Sequence, residues 1–373
     1  MIVLDFCRRF VLLNAVYFLY YAAVSVAFVL LAMPPFIFEA ASEPFVSGRA
    51  GFDSSTISVL IAKSLYSSDL QIIKSCETLE GNARALARLK TGDGFAVFKF
   101  AGSLEVVKND GEYLLINKVK ISDYIACVII SELDDGGDGL FAALAVLIRS
   151  LVHKEIIDRK SSERSARHPG SPFLLCARTH CASYRGALGE TILKKAAAAV
   201  KITGDQILTY KGLPVYSFYS SACSGTTIRA SSIYPGVTGD DYLGEFECPC
   251  KNGLKKWRNV YDMRQMSGIF GFNVSSIESI GPPWRIVLSG KRTCTFDEFI
   301  SLIEKSSASR LKSPFFSSET DEKKGAIILN GIGMGHGAGL CLKGAALLSK
   351  RGYDYKKILN YYYKSCILKT VEL

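Results

Sequence analysis

A single glutamate, Glu132, lies near the end of one of the most apolar stretches of the chain, DYIACVIISEL. A carboxyl group at the edge of apolar packing is poorly solvated, which disfavours its charged form and raises its pKa. A carboxylic acid that keeps its proton near neutral pH can act as a general acid. The position also fits a structural role, in which Ser131 and Asp134 cap the next helix and Glu132 favours its positive end.

Two histidines and two cysteines occur close together in the stretch HPGSPFLLCARTHCASYRG. They are His168, Cys176, His180 and Cys181. Imidazoles and thiolates are the ligands of tetrahedral zinc in proteins, so these residues predict a zinc site. Their spacing is not that of a zinc finger, and a disulfide between Cys176 and Cys181 is the alternative interpretation.

Cysteine is frequent elsewhere, with 11 residues in the chain. Cys223, Cys248 and Cys250 form a second, weaker group that leaves the same two interpretations open, a metal site or disulfides. Cys127, inside YIACVII, is instead typical of a small residue in a hydrophobic core.

Glycine occupies every second position from Gly331 to Gly339, and His336 lies in the middle. If this segment is extended, one of its faces carries no side chains, and a ligand or another strand can approach the backbone closely. The histidine fits a structural or a catalytic role. A nucleotide-binding loop is not indicated, because the glycines alternate and no βαβ unit surrounds them.

Arg149 is the only charged residue between Asp138 and Lys154, within the helical stretch LFAALAVLIRSLV. An arginine on an otherwise apolar helix needs a carboxylate or carbonyl partner, or it extends its charged end to solvent. A partner in the acidic segment DDGGDG, just before the helix, would fix that segment in place.

The elements that must position these residues form a mixed pattern. Strands are predicted between about 58 and 121, at ISVLIAKS, FAVFKF, SLEVV and EYLLINKVKI. Helices are predicted at LFAALAVLIRSLV, ILKKAAAAVK, FDEFISLIEK and near the C-terminus, and a hairpin is predicted to turn at Lys211 and Gly212. Residues 156–172 are polar and predict a loop. The predicted fold class is therefore α+β. The domain covers residues 57–373 and is rich in β-strands, with a few packed helices.

The N-terminal segment differs from the rest. Arg8 and Arg9 precede an uncharged stretch over 10–38, longer than the about 20 apolar residues that span a bilayer. The sequence predicts a cytoplasmic tail over 1–9, a transmembrane anchor over 10–38, and a linker over 39–56. A signal peptide cleaved near Ala40 is the alternative. The positive-inside rule then places the protein in the cytoplasmic membrane, as a single-pass protein with its domain outside.

The formal net charge of +10 lies almost entirely in the domain beyond the anchor. A basic surface favours an anionic polymer, a membrane, or wall glycans with acidic substituents. Nucleic acid is not indicated, because the sequence contains no zinc-finger spacing, no ribonucleoprotein aromatic motif and no arginine-dense helix.

Five motifs in order resemble the stage II sporulation protein D (SpoIID) family, which includes the LytB-type amidase enhancers. VKISDYIACVIISEL followed by ALAVLIRS resembles the family's catalytic glutamate and its alanine-rich helix, and CARTHCASYRG resembles its cysteine–histidine–cysteine segment. TYKGLPVYSF leads into YSSACSGTT, which resembles a serine- and glycine-rich stretch. GIGMGHGAGLCLKGA resembles the glycine–histidine hallmark. The resemblance covers about 57–365.

The resemblance implies a lytic transglycosylase that cleaves the bond between N-acetylmuramic acid and N-acetylglucosamine in peptidoglycan strands, after an amidase has removed their peptides. Glu132 matches the catalytic acid. Cys176, His180 and Cys181 match the zinc segment, with His168 as the fourth ligand and zinc in a structural role. The residues that match the family's substrate-binding positions are Arg149, Ser221, Ser224, Gly335, His336 and Gly337.

Two departures from the family pattern are visible. Cys341 and Leu342 stand where the family has Ser-Gln or similar, and DDGGDG replaces a proline-rich stretch after the glutamate. A second function is therefore kept, in which the domain binds glycan and enhances an amidase without cleaving anything. A zinc hydrolase would require an open coordination position with a general base, and no HExxH pairing is present.

Overall fold

The computed structural model describes most of the chain beyond the N-terminal segment. The described residues are 55–73, 84–91, 94–161, 166–178, 181–187, 189–234, 237, 241–303 and 309–371. The predicted tail, anchor and most of the linker lie outside them, as does His180. Within the described residues, no helix combines the length and the apolar character that crossing a membrane requires.

Seven α-helices occur in the described part of the chain. They are α1 Ile121–Glu132, α2 Asp138–Ser161, α3 Glu190–Thr203, α4 Met263–Phe270, α5 Phe296–Ile303, α6 Leu342–Lys350 and α7 Tyr355–Tyr362. The helix α2 is buried on every side from Leu140 to Val152. A helix that is apolar all round belongs in the centre of a core, and α2 packs against α1, α3, α6 and α7.

The strands are short and form several small sheets. They are β1 Thr56–Ser64, β2 Leu70–Ile73, β3 Arg84–Thr91, β4 Gly94–Ala101, β5 Ser103–Asn109, β6 Glu112–Lys120, β7 Leu175–Cys176, β8 Gln206–Tyr210, β9 Leu213–Pro214, β10 Tyr219–Ser220, β11 Lys256–Asp262, β12 Ile277–Ile280, β13 Arg285–Leu288, β14 Arg292–Cys294, β15 Phe316–Asp321, β16 Ala326–Ile332, β17 Leu340–Cys341 and β18 Ile367–Thr370. The first sheet has the order β5-β6-β1-β7, and β10 pairs with β17 in parallel.

The hydrophobic residues form two separate cores. The larger one surrounds α1 and α2 and includes the inner faces of β1 and β6. The smaller one lies between Trp257 and Leu329 and joins α4 and α5 to the sheets β11-β16-β15 and β12-β13-β14. On β11, Trp257, Asn259 and Tyr261 are buried while the residues between them are exposed, which is the alternation of a strand with one covered face.

The α+β prediction is confirmed, and so is the hairpin, since β8 and β9 pair around Lys211 and Gly212. The apolar stretch that ends near Glu132 is the helix α1. The predicted loop over 156–172 is wrong for its first part, because α2 continues to Ser161. An i,i+4 pair between Lys154 and Asp158 and the contacts of Arg159 with the following loop stabilise this extension.

Candidate active site

Glu132 is the last residue of α1, and the chain leaves the helix immediately after it. Leu133 is extended, and its N–H donates to the Ile129 carbonyl, which completes the last turn. The hydroxyl of Ser131 donates to the Cys127 carbonyl, 2.7 Å away, within α1. Ser131 therefore does not cap the next helix, which begins only at Asp138, and the capping interpretation of this segment is wrong.

The segment after Cys181 holds the Glu132 carboxyl group in place. The backbone N–H of Ser183 donates to Oε1 of Glu132 over 2.9 Å, and the N–H of Arg185 donates to the Ser131 hydroxyl over 3.0 Å. Between them, the buried Tyr184 donates to Oδ1 of Asn117 over 2.6 Å. Three consecutive residues of this segment thus bind the end of α1 and the sheet beneath it.

Tyr219 reaches the same oxygen from the other side of the site. Its hydroxyl donates to Oε1 of Glu132 over 3.3 Å. Tyr219 lies in β10, whose pairing with Leu340 in β17 fixes the backbone. Sequence reasoning missed this residue, although it stands at the start of the quoted stretch YSSACSGTT; nothing in that stretch indicates that its side chain points at Glu132.

Burial raises the pKa of the Glu132 carboxyl group above its ordinary value. The hydrogen bonds from Ser183 and Tyr219 and the positive charge of Arg185 act in the opposite direction, but they do not cancel the effect of burial. The direction agrees with the expectation from sequence. A carboxyl group in this environment retains more of its protonated form near neutral pH than a solvated glutamate does.

His336 is connected to Tyr219 and not to a metal group. Its Nδ1 accepts a hydrogen bond from the Ala338 N–H over 3.1 Å, and it makes a second hydrogen bond to the Tyr219 backbone. The rings of Phe218 and Tyr234 pack edge-on against it at 5.7 and 5.5 Å. Burial lowers the pKa of His336 to about 4, so the ring is neutral near pH 7 and carries its proton on Nε2.

The glycines around His336 do not form an extended segment as expected. Gly333, Gly335, Gly337 and Gly339 all have φ between +71° and +96°, a left-handed region that glycine tolerates best. A Cβ atom at Gly339 would collide with the Phe218 carbonyl, and one at Gly335 would lie 3.0 Å from Cβ of Ser220. The close approach is therefore made by the chain's own segment 218–223.

His168, Cys176 and Cys181 come together as predicted. Nε2 of His168 lies 3.3 Å from Sγ of Cys181, and the two sulfur atoms are 3.7 Å apart. Cys176 is fixed by β7, which pairs with β1 in parallel. The loop that carries His168 is tied to α2, since Arg167 binds the buried Glu155.

These three residues fit a zinc ion. Ligands at about 2.3 Å from a tetrahedral ion are separated by about 3.8 Å, and the observed separations are close to that value. The N–H of Cys176 donates to Sγ of Cys181, an interaction suited to a thiolate. A bound ion would be held by His168, Cys176 and Cys181; His180, the remaining predicted ligand, lies outside the described residues.

The sequence was compared with protein-family models and with known proteins. Residues 109–210 match a family model described as SpoIID, stage II sporulation protein. This segment of the chain therefore carries a SpoIID domain. A protein of Brachyspira hyodysenteriae, named only as uncharacterized, is 28% identical over 283 residues, which cover 74% of each chain. The domain indicates a function related to the cell wall, and the SpoIID family is associated with lytic transglycosylase activity.

The matched segment of the SpoIID domain includes Glu132, Cys176 and Cys181, whereas Tyr219 and His336 lie beyond it. It also includes Arg149, which was predicted to bind substrate. That prediction is wrong, because Arg149 is 2% exposed and donates to the carbonyl oxygens of Val200 and Gln206 and to the Thr203 hydroxyl. Burial lowers its pKa to about 10, and its role is to join α2 to the end of α3.

The remaining predicted substrate-binding residues lie along the segments next to Tyr219. Ser221 is exposed and Ser224 is half-buried; the Ser221 carbonyl accepts from the Lys343 N–H at the start of α6. A Cβ atom at Gly337 would lie 3.0 Å from the ring of Phe315. These positions surround Tyr219 and His336, and whether they bind glycan stays a prediction.

An open groove begins where the glycine-rich segment leaves β16. Its volume is about 820 Å³, and Gly331, Trp284 and Phe315 are among its lining residues. The rings of Trp284 and Phe315 pack edge-on at 5.0 Å. Exposed Lys256 and Arg258 lie on the same groove, which therefore combines aromatic faces with positive charge.

Proposed function

We propose that this SpoIID protein is a lytic transglycosylase of peptide-stripped peptidoglycan strands, with Glu132 as its acid and base. The observation that carries the proposal is the carboxyl group of Glu132, which is desolvated at the end of α1 and oriented through Oε1 by Ser183 and Tyr219. A protonated carboxyl in a fixed orientation is what cleavage of a glycosidic bond requires first.

In the first step, the Glu132 carboxyl group gives its proton to the oxygen between N-acetylmuramic acid and N-acetylglucosamine. The bond from C1 of the muramic residue to that oxygen breaks, and the N-acetylglucosamine residue leaves with the proton. Positive charge develops at C1, and Glu132 is left as a carboxylate whose charge is stabilised by the hydrogen bonds to Oε1.

In the second step, the same carboxylate removes the proton of the C6 hydroxyl of the muramic residue. The C6 oxygen then bonds to C1 and closes a 1,6-anhydro ring. No water is consumed, and Glu132 ends in its starting protonation state. One carboxyl group is enough for this reaction, whereas hydrolysis of a glycoside usually needs two.

Zinc at His168, Cys176 and Cys181 would act structurally, as a link that fixes the segment after Cys181. Ser183 is two residues after Cys181 in that segment, and its N–H donates to the Glu132 carboxyl group. The ligand set supports this role, because thiolate-rich zinc sites are typically structural.

The setting proposed for this activity is the outer side of the cytoplasmic membrane, with residues 10–38 as anchor and a cell-wall amidase acting first on the same strands. The net charge of +10 supports binding to wall polymers with acidic substituents.

A second candidate is a glycan-binding enhancer of an amidase that cleaves nothing. The groove favours it, since the half-buried rings of Trp284 and Phe316 beside exposed cationic side chains can hold a sugar chain without any reacting group.

The deciding experiment incubates the purified full chain with peptide-free glycan strands and identifies the products by mass spectrometry. The native chain and Glu112→Gln, a change at an exposed glutamate paired with Lys63, should both release anhydro-ended fragments. Glu132→Gln should release at least about 100-fold fewer fragments, while it retains strands in a pull-down. Absence of fragments from the native chain, with glycan binding that Trp284→Ala weakens, would replace the proposal by the second candidate.

A further inference from the structure

Four cysteines that are distant in sequence meet in the larger core. Cys223 follows β10, Cys248 and Cys250 belong to one turn, and Cys341 ends β17. None of the four side chains is more than 1% exposed. The group that the sequence indicated thus gains a fourth member, Cys341, from the segment with the glycine–histidine hallmark.

The sulfur atoms have the separations of a coordination sphere. Sγ of Cys250 lies 3.4 Å from that of Cys223 and 3.8 Å from that of Cys341. All four sulfur atoms lie within 4.8 Å of one another. The vertices of a tetrahedron of zinc–sulfur bonds of about 2.3 Å are about 3.8 Å apart.

We propose that Cys223, Cys248, Cys250 and Cys341 bind one zinc ion in a closed site of four thiolates. This site is separate from the group at His168 and does not depend on the proposed enzymatic activity.

Donors around the sulfur atoms support thiolates at this position. The N–H groups of Cys223 and Gly344 lie 3.3 and 3.4 Å from Sγ of Cys341, and the Tyr362 hydroxyl lies 3.4 Å from Sγ of Cys248. Cys341 precedes the first turn of α6, where the helix dipole favours negative charge. Hydrogen bonds from a surrounding shell are what metal-bound thiolates usually receive.

Gly344 shows how closely the helix α6 approaches the cysteines. A Cβ atom there would collide with Sγ of Cys248 and with the Tyr362 hydroxyl. Only a residue without a side chain lets the first turn of α6 lie directly on the sulfur atoms. The departure from the family pattern at Cys341 is then explained, because the thiol of Cys341 supplies the fourth ligand.

Two other uses of four cysteines fit less well. Two disulfides need only pairs of neighbouring sulfur atoms, whereas here Cys250 lies within 4 Å of both Cys223 and Cys341. A four-iron cluster binds each cysteine to a different iron and holds the sulfur atoms farther apart than a single ion does. Mutual proximity of all four sulfur atoms favours one ion at their centre.

The ion would join three segments of the chain, which carry Cys223, the Cys248–Cys250 turn and Cys341. The first and the third of these segments pair through the short β10–β17 ladder. Cys341 pairs with Ser220 in the β10–β17 ladder, next to the pair of Tyr219 with Leu340. An ion bound by Cys223 and Cys341 therefore fixes the backbone from which Tyr219 reaches Glu132. The ion would position residues and would not touch the substrate.

The test begins with the unaltered full chain. After denaturation with a chelator and without reductant, an alkylating reagent should modify all four cysteines, and peptide mass spectrometry reads each site. Resistance of two or four of them until a reductant is added would show disulfides and would overturn the proposal.

The metal is then identified in a Cys176→Ser, Cys181→Ser background, which removes the ligands of the other group. Elemental analysis should find about one zinc per chain, and X-ray absorption should find sulfur neighbours only, at about 2.3 Å. Adding Cys341→Ser should abolish zinc binding or replace one sulfur neighbour, while adding Cys294→Ser, a buried cysteine of the smaller core, should change neither.

If these background variants fail to fold, the metal content of the unaltered chain still tests the proposal. That chain should hold about two zinc ions, one at each group, with at least six sulfur neighbours in total, four from the new site and two from Cys176 and Cys181. Iron in place of zinc, or one zinc with a histidine neighbour and no second ion, would overturn the assignment.

Discussion

The hydroxyl of Tyr219 lies 3.3 Å from Oε1 of Glu132, across 87 residues of sequence. This contact connects the matched SpoIID segment, which contains the glutamate, to the segment with His336, which binds the Tyr219 backbone. The glycine–histidine hallmark thus reaches Glu132 through Tyr219. We therefore expect this segment to hold the tyrosine in place in the proposed reaction.

Tyr219→Phe tests this connection. Because the tyrosine hydroxyl stabilises the charged form of Glu132, its loss should raise the pKa of that carboxyl group further. The alkaline limb of the pH–rate profile, where the general acid loses its proton, should move to higher pH. The maximal rate should fall about fivefold, since one hydrogen bond of about 1 kcal/mol is lost. Tyr353→Phe, at an exposed tyrosine, is the matched control. An unchanged profile would contradict the role given to Tyr219.

A comparison with Glu132→Gln should reveal how a buried acid makes the stability of the native protein depend on pH. The folded protein holds the Glu132 proton more tightly than the unfolded chain, so the native protein loses stability as pH rises from the ordinary glutamate pKa through the raised one. The glutamine variant is neutral throughout and still accepts from the Ser183 N–H. Its thermal midpoint should match that of the native chain near pH 4 and exceed it at pH 8.

Cleavage by Glu132→Gln should fall at least about 100-fold at every pH, the contribution usual for a general acid. Glu112→Gln separates the effect from a general loss of charge, since Glu112 is exposed and pairs with Lys63. A glutamine variant that is less stable than the native chain at pH 8 would show that burial does not dominate the environment of Glu132.

How far the sequence predicts the site depends on the kind of signal. Glu132 and the pair Cys176 and Cys181 were predicted because their side chains stand in short local patterns that the fold keeps together. Tyr219 and Cys341 were missed as members of their groups, since their partners come from elements far along the chain. Periodicity reports which residues share a face of one element, but not which elements meet.

Arg149 shows a different limit. The sequence correctly indicated that an arginine on an apolar helix needs carbonyl partners, yet the partners are the end of α3 and Gln206, not the acidic segment or a substrate. The expectation of an extended segment around His336 was also wrong. Glycine at every second position is equally compatible with a left-handed φ at each glycine from Gly333 to Gly339, which is what the structure has.

Arg149→Ala should therefore destabilise the fold without changing the recognition of glycan. The change removes the guanidinium donor from the Gln206 carbonyl and from the Val200 carbonyl, which keeps the Thr203 hydroxyl as a donor. Loss of these buried hydrogen bonds should cost about 3 kcal/mol in the free energy of unfolding. Urea denaturation measures it. Arg351→Ala, at an exposed arginine, should change the same quantity by less than about 0.5 kcal/mol. A stable Arg149→Ala protein with weakened glycan binding would restore the original prediction.

Gly339→Ala should separate two reasons for glycine at this position, a left-handed φ and the close approach of another backbone group. Gly339 and Gly352 have similar φ, +71° and +82°, but only Gly339 faces another backbone group, the Phe218 carbonyl. Gly352→Ala should cost about 1–2 kcal/mol in unfolding free energy, from the backbone strain alone. Gly339→Ala should cost clearly more, because the β10–β17 pair must open to admit the methyl group.

Gly339→Ala should also lower the rate of cleavage at temperatures where the variant is still folded, since Tyr219 then loses its position on Glu132. Equal stability of the two variants would mean that Phe218 yields without cost, and that the glycine at 339 serves its φ only.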